Sequence, residues 1–411
     1  MKRIITVIRL LFFLWGLAVV LPTHAQLYPT PPSKSDTARM MESAPEAFTE
    51  VPYFSFGQGV GIYPSDSLFS FNLRFRMQNR VGINFMDEEE IEARVRRLRL
   101  RFDGFMLNPR LIYVIQLSFT RGDMDWENTA FPNIVRDAMI FYKASPKLMI
   151  GLGQTKLPGN RQRVNSSGDL QFVDRSLVNA SLNVDRDFGF QAAYTENLFG
   201  NFYTVLRTAV SSGEGRNIIH TSSSLAYTGR LEILPLGLFE KFGDYFEGDL
   251  IREQRPKISM GFTASHNENT LKTGGQIGQF LFAPRTMTTY MTDFLFKYNG
   301  LAFAAEGLYR LSDDPFTFDG EGSVRYIYTG LGQNYQASYI WPSNFELAVR
   351  YSRMDPDAAI MDFEKGIEHF TVGATRYLKG HRVKLQSDVT YEKVRGRENH
   401  LIWRIQIELG I

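Results

Sequence analysis

Residues 68–78 decide the fold class of this chain: they read Leu-Phe-Ser-Phe-Asn-Leu-Arg-Phe-Arg-Met-Gln. From Phe69 onward every second residue is large and apolar, and the residues between are serine, asparagine, arginine or glutamine. Successive side chains of a β-strand point to opposite faces, so a period of two is typical of a strand. The stretch therefore predicts a strand with one apolar face and one polar face.

The same alternation recurs along the chain and ends with Trp403, Ile405, Ile407, Leu409 and Ile411. About sixteen such segments lie near 68–81, 95–106, 110–122, 134–144, 147–156, 187–196, 202–212, 224–235, 255–267, 288–299, 300–311, 326–340, 344–353, 367–379, 381–393 and 399–411. An even number of strands of about ten residues is what an antiparallel membrane barrel requires.

The connectors between these segments differ in length in a regular way. Very short turns lie at Asn108-Pro109, Ser145-Pro146, Asn299-Gly300, Pro342-Ser343 and Lys379-Gly380, and long loops at 82–94, 123–133, 157–186, 268–287, 312–325 and 354–366. Short turns at one rim and long loops at the other are typical of outer-membrane barrels, whereas a soluble sandwich would not alternate so regularly. One connector, 236–254, breaks the rule because it is long where a short turn is expected. The fold prediction is an all-β transmembrane antiparallel β-barrel of about 16 strands.

The N-terminus has the features of an export signal. A basic start, Met1-Lys2-Arg3, precedes an apolar run over 4–21 and the small-residue site Thr23-His24-Ala25. This pattern predicts a signal peptide over 1–25, cleaved after Ala25, with an uncleaved membrane anchor as the alternative. The proline-rich residues 26–56 are predicted to form a flexible segment, and 57–411 the barrel domain.

Composition excludes several function classes. The chain has no cysteine, which excludes disulfides, zinc–thiolate sites and thiol nucleophiles. Its 46 basic and 44 acidic residues do not point to nucleic acid. The six histidines lack a zinc-binding spacing. Ser265 and His266 lie on opposite faces of a predicted strand without a partner set, so neither an enzyme nor a cofactor is expected; a barrel hydrolase would have to use His266 or His369.

Basic residues gather on the polar strand faces, which look into the lumen of a membrane barrel. They are Arg74, Arg76, Arg97, Arg99, Arg101, Arg207 and Arg404. A charged side chain facing lipid at mid-bilayer costs roughly 2–4 kcal/mol, which argues that these arginines point inward. Two interpretations stay open: an arginine wall forming an anion path, or arginines that brace the barrel by pairing with lumenal acids such as Glu408 and Asp388.

The third long loop, 157–186, favours the anion path. It contains Arg161, Arg163, Arg175 and Arg186, with Lys156 at its start. If such a loop folds into the barrel, it narrows the pore and places its charges where passing ions are most dehydrated. Arginine suits phosphate-like anions because its planar guanidinium donates two parallel hydrogen bonds and keeps its charge.

Several motifs in and around this loop resemble those of one family. The run Gly151-Leu-Gly-Gln-Thr-Lys-Leu-Pro158, followed by Ser166-Ser-Gly-Asp-Leu-Gln-Phe-Val-Asp-Arg-Ser176, is similar to a "GQxKxP … F.ER" stretch of the phosphate-selective porin O and P family. The strands Arg97-Leu-Arg-Leu-Arg-Phe-Asp-Gly104 and Arg136-Asp-Ala-Met-Ile-Phe-Tyr-Lys143 resemble its "RRARLGLDG" and "KDAYIQY" strands. Gly243-Asp-Tyr-Phe-Glu-Gly-Asp-Leu250 resembles the branch found in Bacteroidetes-type bacteria.

The resemblance, which runs from about residue 56 to the C-terminus, implies a sixteen-stranded channel in the Gram-negative outer membrane. It implies a homotrimer whose third loop folds inward, and anions that pass an arginine ladder and a lysine. Lys156, Arg161, Arg163 and Arg175 fall in the matching loop, and Arg97, Arg99 and Arg101 in the matching strand. The sequence therefore predicts an outer-membrane porin for passive diffusion of small anions, with phosphate or polyphosphate as candidate solutes. The alternative is a structural or accessory barrel that anchors a surface complex through 236–254 and the proline-rich segment.

Overall fold

The structure is a computed structural model that describes residues 59–62, 68–85, 89–123, 133–218 and 224–411. The predicted signal peptide 1–25 and the proline-rich segment 26–56 lie outside these residues and stay predictions. Within the described ranges, no helix is long and apolar enough to cross a membrane.

The described residues form a closed barrel of sixteen antiparallel strands, which confirms the fold prediction. The strands are β1 Phe71–Phe85, β2 Glu89–Met106, β3 Asn108–Ser118, β4 Val135–Lys143, β5 Leu148–Lys156, β6 Arg186–Phe199, β7 Phe202–Ser211, β8 Ala226–Leu234, β9 Lys257–Lys272, β10 Phe280–Tyr298, β11 Leu301–Leu311, β12 Gly330–Ile340, β13 Phe345–Pro356, β14 Ile367–Lys379, β15 Val383–Val394 and β16 His400–Gly410. Each strand pairs with the next one along the chain, so the order around the ring follows the sequence.

The ring closes where the last strand pairs with the first. β16 runs antiparallel to β1 from the pair Leu401 and Phe85 to the pair Gly410 and Arg76. The short strand Val60–Ile62 then pairs with residues 71–73 of β1, beyond the end of β16. Backbone groups along this edge of β1 are therefore satisfied, as lipid requires.

Two predicted long loops are much shorter in the structure. In place of a loop over 82–94, β1 continues to Phe85 and β2 begins at Glu89, with Ile83 paired to Ile91. Similarly, the loop predicted over 268–287 shrinks because β9 extends to Lys272 and β10 begins at Phe280. Glu89 and Glu90 lie within β2, so strand pairing overrides the preference of acidic residues for loops, whereas the glycines at 274, 275 and 278 lie in the remaining connector 273–279.

Along each strand the side chains alternate between an apolar outer surface and a buried interior. In β14, Phe370 and Val372 are exposed on the outside, whereas Thr371 and Thr375 are buried inside. The outward residues of the other strands are likewise mostly apolar. This alternation matches a barrel whose outer surface meets lipid.

Two helices, α1 Arg161–Val164 and α2 Leu177–Leu182, lie among the interior side chains, together with the buried residues 243–245 of the connector 236–254. Apolar residues of segment 157–185 pack on a buried apolar patch of the strands. The members of this cluster are Leu157, Val178, Leu182, Val184, Ala209, Met291, Leu308 and Met354. Burial of these side chains holds the segment against β7, β10, β11 and β13.

The outward orientation of Val372 allows a test of the membrane-facing surface. Val372→Arg is expected to lower the free energy of unfolding by about 2–4 kcal/mol, because the charge lies on the lipid face near the middle of β14. Leu378→Arg, at the end of the same strand, is the matched control and is expected to cost about 0–1 kcal/mol. Urea titrations in lipid vesicles measure both losses, and equal losses would contradict the assigned membrane position.

Candidate functional site

The segment 157–185 reaches from β5 and β6 to the strands opposite them in the ring. Its backbone carbonyls accept hydrogen bonds from lumenal side chains: Leu170 from the Lys384 ammonium at 2.6 Å, and Gln171 from the Thr375 hydroxyl at 2.9 Å. These two donors lie on β15 and β14, seven and eight positions around the ring from β6. The segment is fixed at its far end by buried contacts.

The long connector 236–254 also contacts the interior. The Lys297 ammonium of β10 donates to the carbonyls of Gly243 at 2.5 Å and Phe246 at 2.8 Å. The Glu247 carboxylate accepts from the Gln162 side chain at 2.8 Å and from the Gln171 backbone N–H at 2.9 Å. The connector and the segment 157–185 are thus bonded to each other inside the ring.

A cavity of about 800 Å³ lies between these two elements and the wall formed by β1 to β6. Among the described residues, its basic lining residues are Arg74, Arg76, Arg99, Arg101, Arg136, Lys156, Arg163, Arg175, Arg186, Lys241, Lys379 and Arg382. Its acidic lining residues are Asp137, Asp169 and Glu408. Twelve basic groups against three acidic ones give the cavity a strongly positive lining.

The arginines of the wall are also paired on the side away from the cavity. Asp103, fully buried, accepts from Arg74 at 2.7 Å and from Arg101 at 3.0 Å. These pairs hold the guanidinium groups in place and offset part of their charge. The same arginines therefore both brace the barrel and line the cavity, so the two interpretations that the sequence left open apply together.

The buried carboxylate of Asp123 holds a second pair of arginines in place, nearer to β4. Asp123 accepts from the Arg99 Nε at 2.7 Å, from Arg136 at 3.0 Å and from the Ser118 hydroxyl at 2.8 Å. Arg99 donates its remaining Nη1 to the Ser167 hydroxyl of the segment at 2.9 Å. The wall and the segment are linked through this arginine.

Lys156, Arg163 and Arg175, the basic residues at this side of the segment, contact backbone carbonyls and one carboxylate. The Lys156 ammonium donates to the carbonyls of Val164 at 2.8 Å and Asn165 at 2.9 Å. Arg163 pairs with Asp185, and burial together with Arg163 lowers the pKa of Arg175 to about 9. Arg175 therefore keeps its charge at neutral pH.

Four of the eleven residues predicted from the sequence lie outside this cavity, next to acids or amides. Arg97 donates to the Gln78 side chain at 2.7 Å. Arg207 pairs with Glu232 at 2.7 Å, Arg161 lies 3.3 Å from the same carboxylate, and Arg404 pairs with Asp388 at 2.8 Å. The other seven predicted residues, Arg74, Arg76, Arg99, Arg101, Lys156, Arg163 and Arg175, line the cavity.

The set of pore-lining residues predicted from the sequence leaves out five basic residues of the lining. Arg136 lies on the polar face of a predicted strand, so the alternation that selected Arg99 could have found it. Arg186 is the last residue of the predicted loop 157–186, and in the structure it is the first residue of β6. Lys379 is the last residue of β14. Lys241 lies in the connector 236–254 and Arg382 in the turn before β15, where a period of two gives no information about direction.

The histidines form no hydrolytic or metal site among the described residues. His266 hydrogen-bonds the Thr288 hydroxyl at 2.8 Å, and His369 the Glu392 carboxylate at 2.6 Å. No group of three or more possible metal ligands occurs within the same ranges.

A closed barrel of sixteen strands with an apolar exterior and a charged interior defines an outer-membrane diffusion channel, or porin. The chain belongs to the phosphate-selective porin O and P family, whose sequence profile matches residues 71–401. Family and fold confirm the predictions of an outer-membrane location and of a channel rather than an enzyme. No curated protein sequence matches the chain significantly.

Solved porin structures share the architecture at low sequence identity. An anion-selective porin from Comamonas acidovorans has a TM-score of 0.53 at 11% identity, covering 84% of this chain and 100% of its own. Salmonella typhi OmpF in complex with daunomycin has a TM-score of 0.55 at 11% identity, covering 86% and 100%. The outer membrane channel DcaP of Acinetobacter baumannii has a TM-score of 0.50 at 12% identity, covering 85% and 100%.

The buried Asp123 provides a test of the wall. Asp123→Asn is expected to lower the free energy of unfolding by about 3 kcal/mol, because two buried arginines lose their shared counter-charge. Urea unfolding in vesicles measures the change. Glu196→Gln, in the solvent-exposed pair with Lys147, is the control and is expected to cause no measurable loss. Similar stability in the two variants would show that the Asp123 pairs do not brace the wall.

Proposed function

We propose that this porin is an anion-preferring channel for passive diffusion of small solutes. The observation that carries the proposal is the lining of the cavity, with twelve basic and three acidic side chains. A water-filled path with one sign of charge and low-dielectric walls raises the local concentration of the opposite ion. Cations are repelled by the same field.

An anion then moves through the pore by exchanging a weak contact with one basic group for a weak contact with the next. Guanidinium groups of Arg76, Arg99 and Arg101 replace part of the hydration shell of an entering anion, and the next basic group competes for it. The partial neutralisation by buried acids such as Asp103 keeps each contact weak enough for release. Lys156, Arg163 and Arg175 supply the corresponding contacts from the segment 157–185, which we propose is the constriction of the pore.

Phosphate and polyphosphate are the solutes that the family resemblance suggests. A guanidinium fork donates two parallel hydrogen bonds to such an oxyanion, which chloride cannot accept in the same way. A phosphate-preferring pore is therefore expected to conduct less chloride when phosphate is added. An anion-selective current without block by phosphate would retain the channel and remove the specific preference.

The two wall arginines of β2 provide the main test of selectivity. The double substitution Arg99→Gln and Arg101→Gln is expected to lower the chloride-to-potassium permeability ratio by about threefold or more, because part of the positive field is removed. Reversal potentials across a KCl gradient in planar bilayers measure the ratio.

Arg97→Gln is the matched control, since Arg97 lies on the same strand face but outside the cavity. It is expected to leave the ratio nearly unchanged. An unchanged ratio in the double variant would refute the role of the arginine wall. Insertion into bilayers without any conductance would favour the accessory barrel instead.

We also propose that three barrels associate, as the family resemblance suggests, and that residues 1–25 direct export before cleavage. A trimer is expected to close in three equal conductance steps, because each barrel has its own path. Single-channel recordings together with native mass spectrometry of the purified protein measure this. Single closing steps and the mass of one barrel would contradict the trimer.

A further inference from the structure

The connector 236–254 presents a different chemistry to the cavity from the wall opposite. The residues through which it lines the cavity are Lys241, Phe242, Tyr245, Phe246, Leu250 and Ile251. Five of these six side chains are aromatic or aliphatic, whereas the β1 to β6 wall contributes mainly arginines. The two sides of the path thus differ: one is cationic and the other largely apolar.

The tip of the connector is held in an uncommon backbone conformation. Lys241 and Phe242 have φ values of 48° and 57°, in the left-handed region that residues with a side chain seldom adopt. Hydrogen bonds fix the chain on either side: the Glu240 N–H donates to the Glu253 carboxylate at 2.8 Å, and the Gly243 carbonyl accepts from Lys297 at 2.5 Å. Strained residues held in this way are typical of sites that contact ligands.

The aromatic side chains of the connector differ in their exposure and in their contacts. Tyr245 is buried between Arg161 and Arg207 and donates its hydroxyl to Glu232 at 2.7 Å. The ring centroid of Phe246 lies 4.2 Å from the Lys297 ammonium nitrogen, so this ring already makes a cation–π contact. Phe242, by contrast, remains 46% exposed while lining the cavity. Its ring is the apolar surface that a passing solute can reach.

We propose that the connector is a second selectivity element, and that among anions with the same head group the channel prefers those that carry an aromatic ring. The inference rests on the proposed anion channel and deepens it. The anionic head group contacts the arginine wall while the ring packs on Phe242, and Lys241 adds a cation at the same place. Arginine can also stack on the face of the ring, so the wall tolerates the ring as well as the charge.

Two sulfonates separate the contribution of the ring from that of the charge. Benzenesulfonate and methanesulfonate carry the same permanently ionised head group and differ in the ring. In planar bilayers with KCl, benzenesulfonate is expected to half-block the chloride current at about a fivefold lower concentration than methanesulfonate, because it alone gains ring packing. A non-selective pore would give equal half-blocking concentrations.

Substitutions at the tip assign the effect to the connector. Phe242→Asn and Phe242→Gly suit a left-handed backbone, so the fold is retained while the ring is lost. Both are expected to bring the two half-blocking concentrations within about twofold of each other. Lys241→Asn is expected to raise both concentrations together and leave their ratio unchanged. Phe318→Asn, at an exposed phenylalanine that does not line the cavity, is the control and is expected to behave like the unsubstituted protein.

The outcomes distinguish this inference from the proposed function. Equal half-blocking concentrations in an anion-selective channel would overturn the inference alone, as would a benzenesulfonate advantage that survives both Phe242 substitutions. A cation-selective reversal potential, or no current, would overturn the proposed anion channel itself.

Discussion

The closed ring of backbone hydrogen bonds is the constraint on which the rest of this structure depends. Lipid offers no partner to an unpaired N–H or carbonyl, so the sheet must close, and β16 pairs with β1 to close it. Once the outer face of each strand is apolar, the alternation of side chains places the polar residues inside. The dense charge of the interior is therefore a consequence of membrane insertion, and the protein must pair, hydrate or expose each group.

Charged side chains are stabilised in different ways on the two sides of the interior. Towards β8 and β10, Arg230 is fully buried between Glu232 at 2.7 Å and Asp293 at 2.6 Å, and Arg161 joins the same acids. Charge there stabilises the contact between strands and segment 157–185. Towards β1 to β6, fewer acids reach the cavity, so arginines such as Arg99 both pair with a buried acid and line the cavity. One residue type thus both braces the barrel and lines the cavity.

The position of the open path follows from packing as much as from charge. The segment 157–185 buries Leu157, Val178 and Leu182 against apolar side chains of strands on the far side from β1. The connector 236–254 fills the adjacent part of the interior and bonds to the segment through Glu247. The remaining space lies along the arginine wall, so apolar packing and connector length together decide which arginines line the cavity.

The sequence by itself determined the sixteen strands, their order and their lipid-facing sides, because period-two alternation is a local property of a strand. It also identified seven residues that line the cavity. Tertiary structure alone decided that Arg97, Arg161, Arg207 and Arg404 lie outside it, since alternation names a face of the sheet but not the neighbours on that face. It likewise decided the inward course of 236–254. Hydrogen bonds from Lys297, which is distant in sequence, and to Glu253, within the connector itself, hold that connector in place, and neither follows from a period of two.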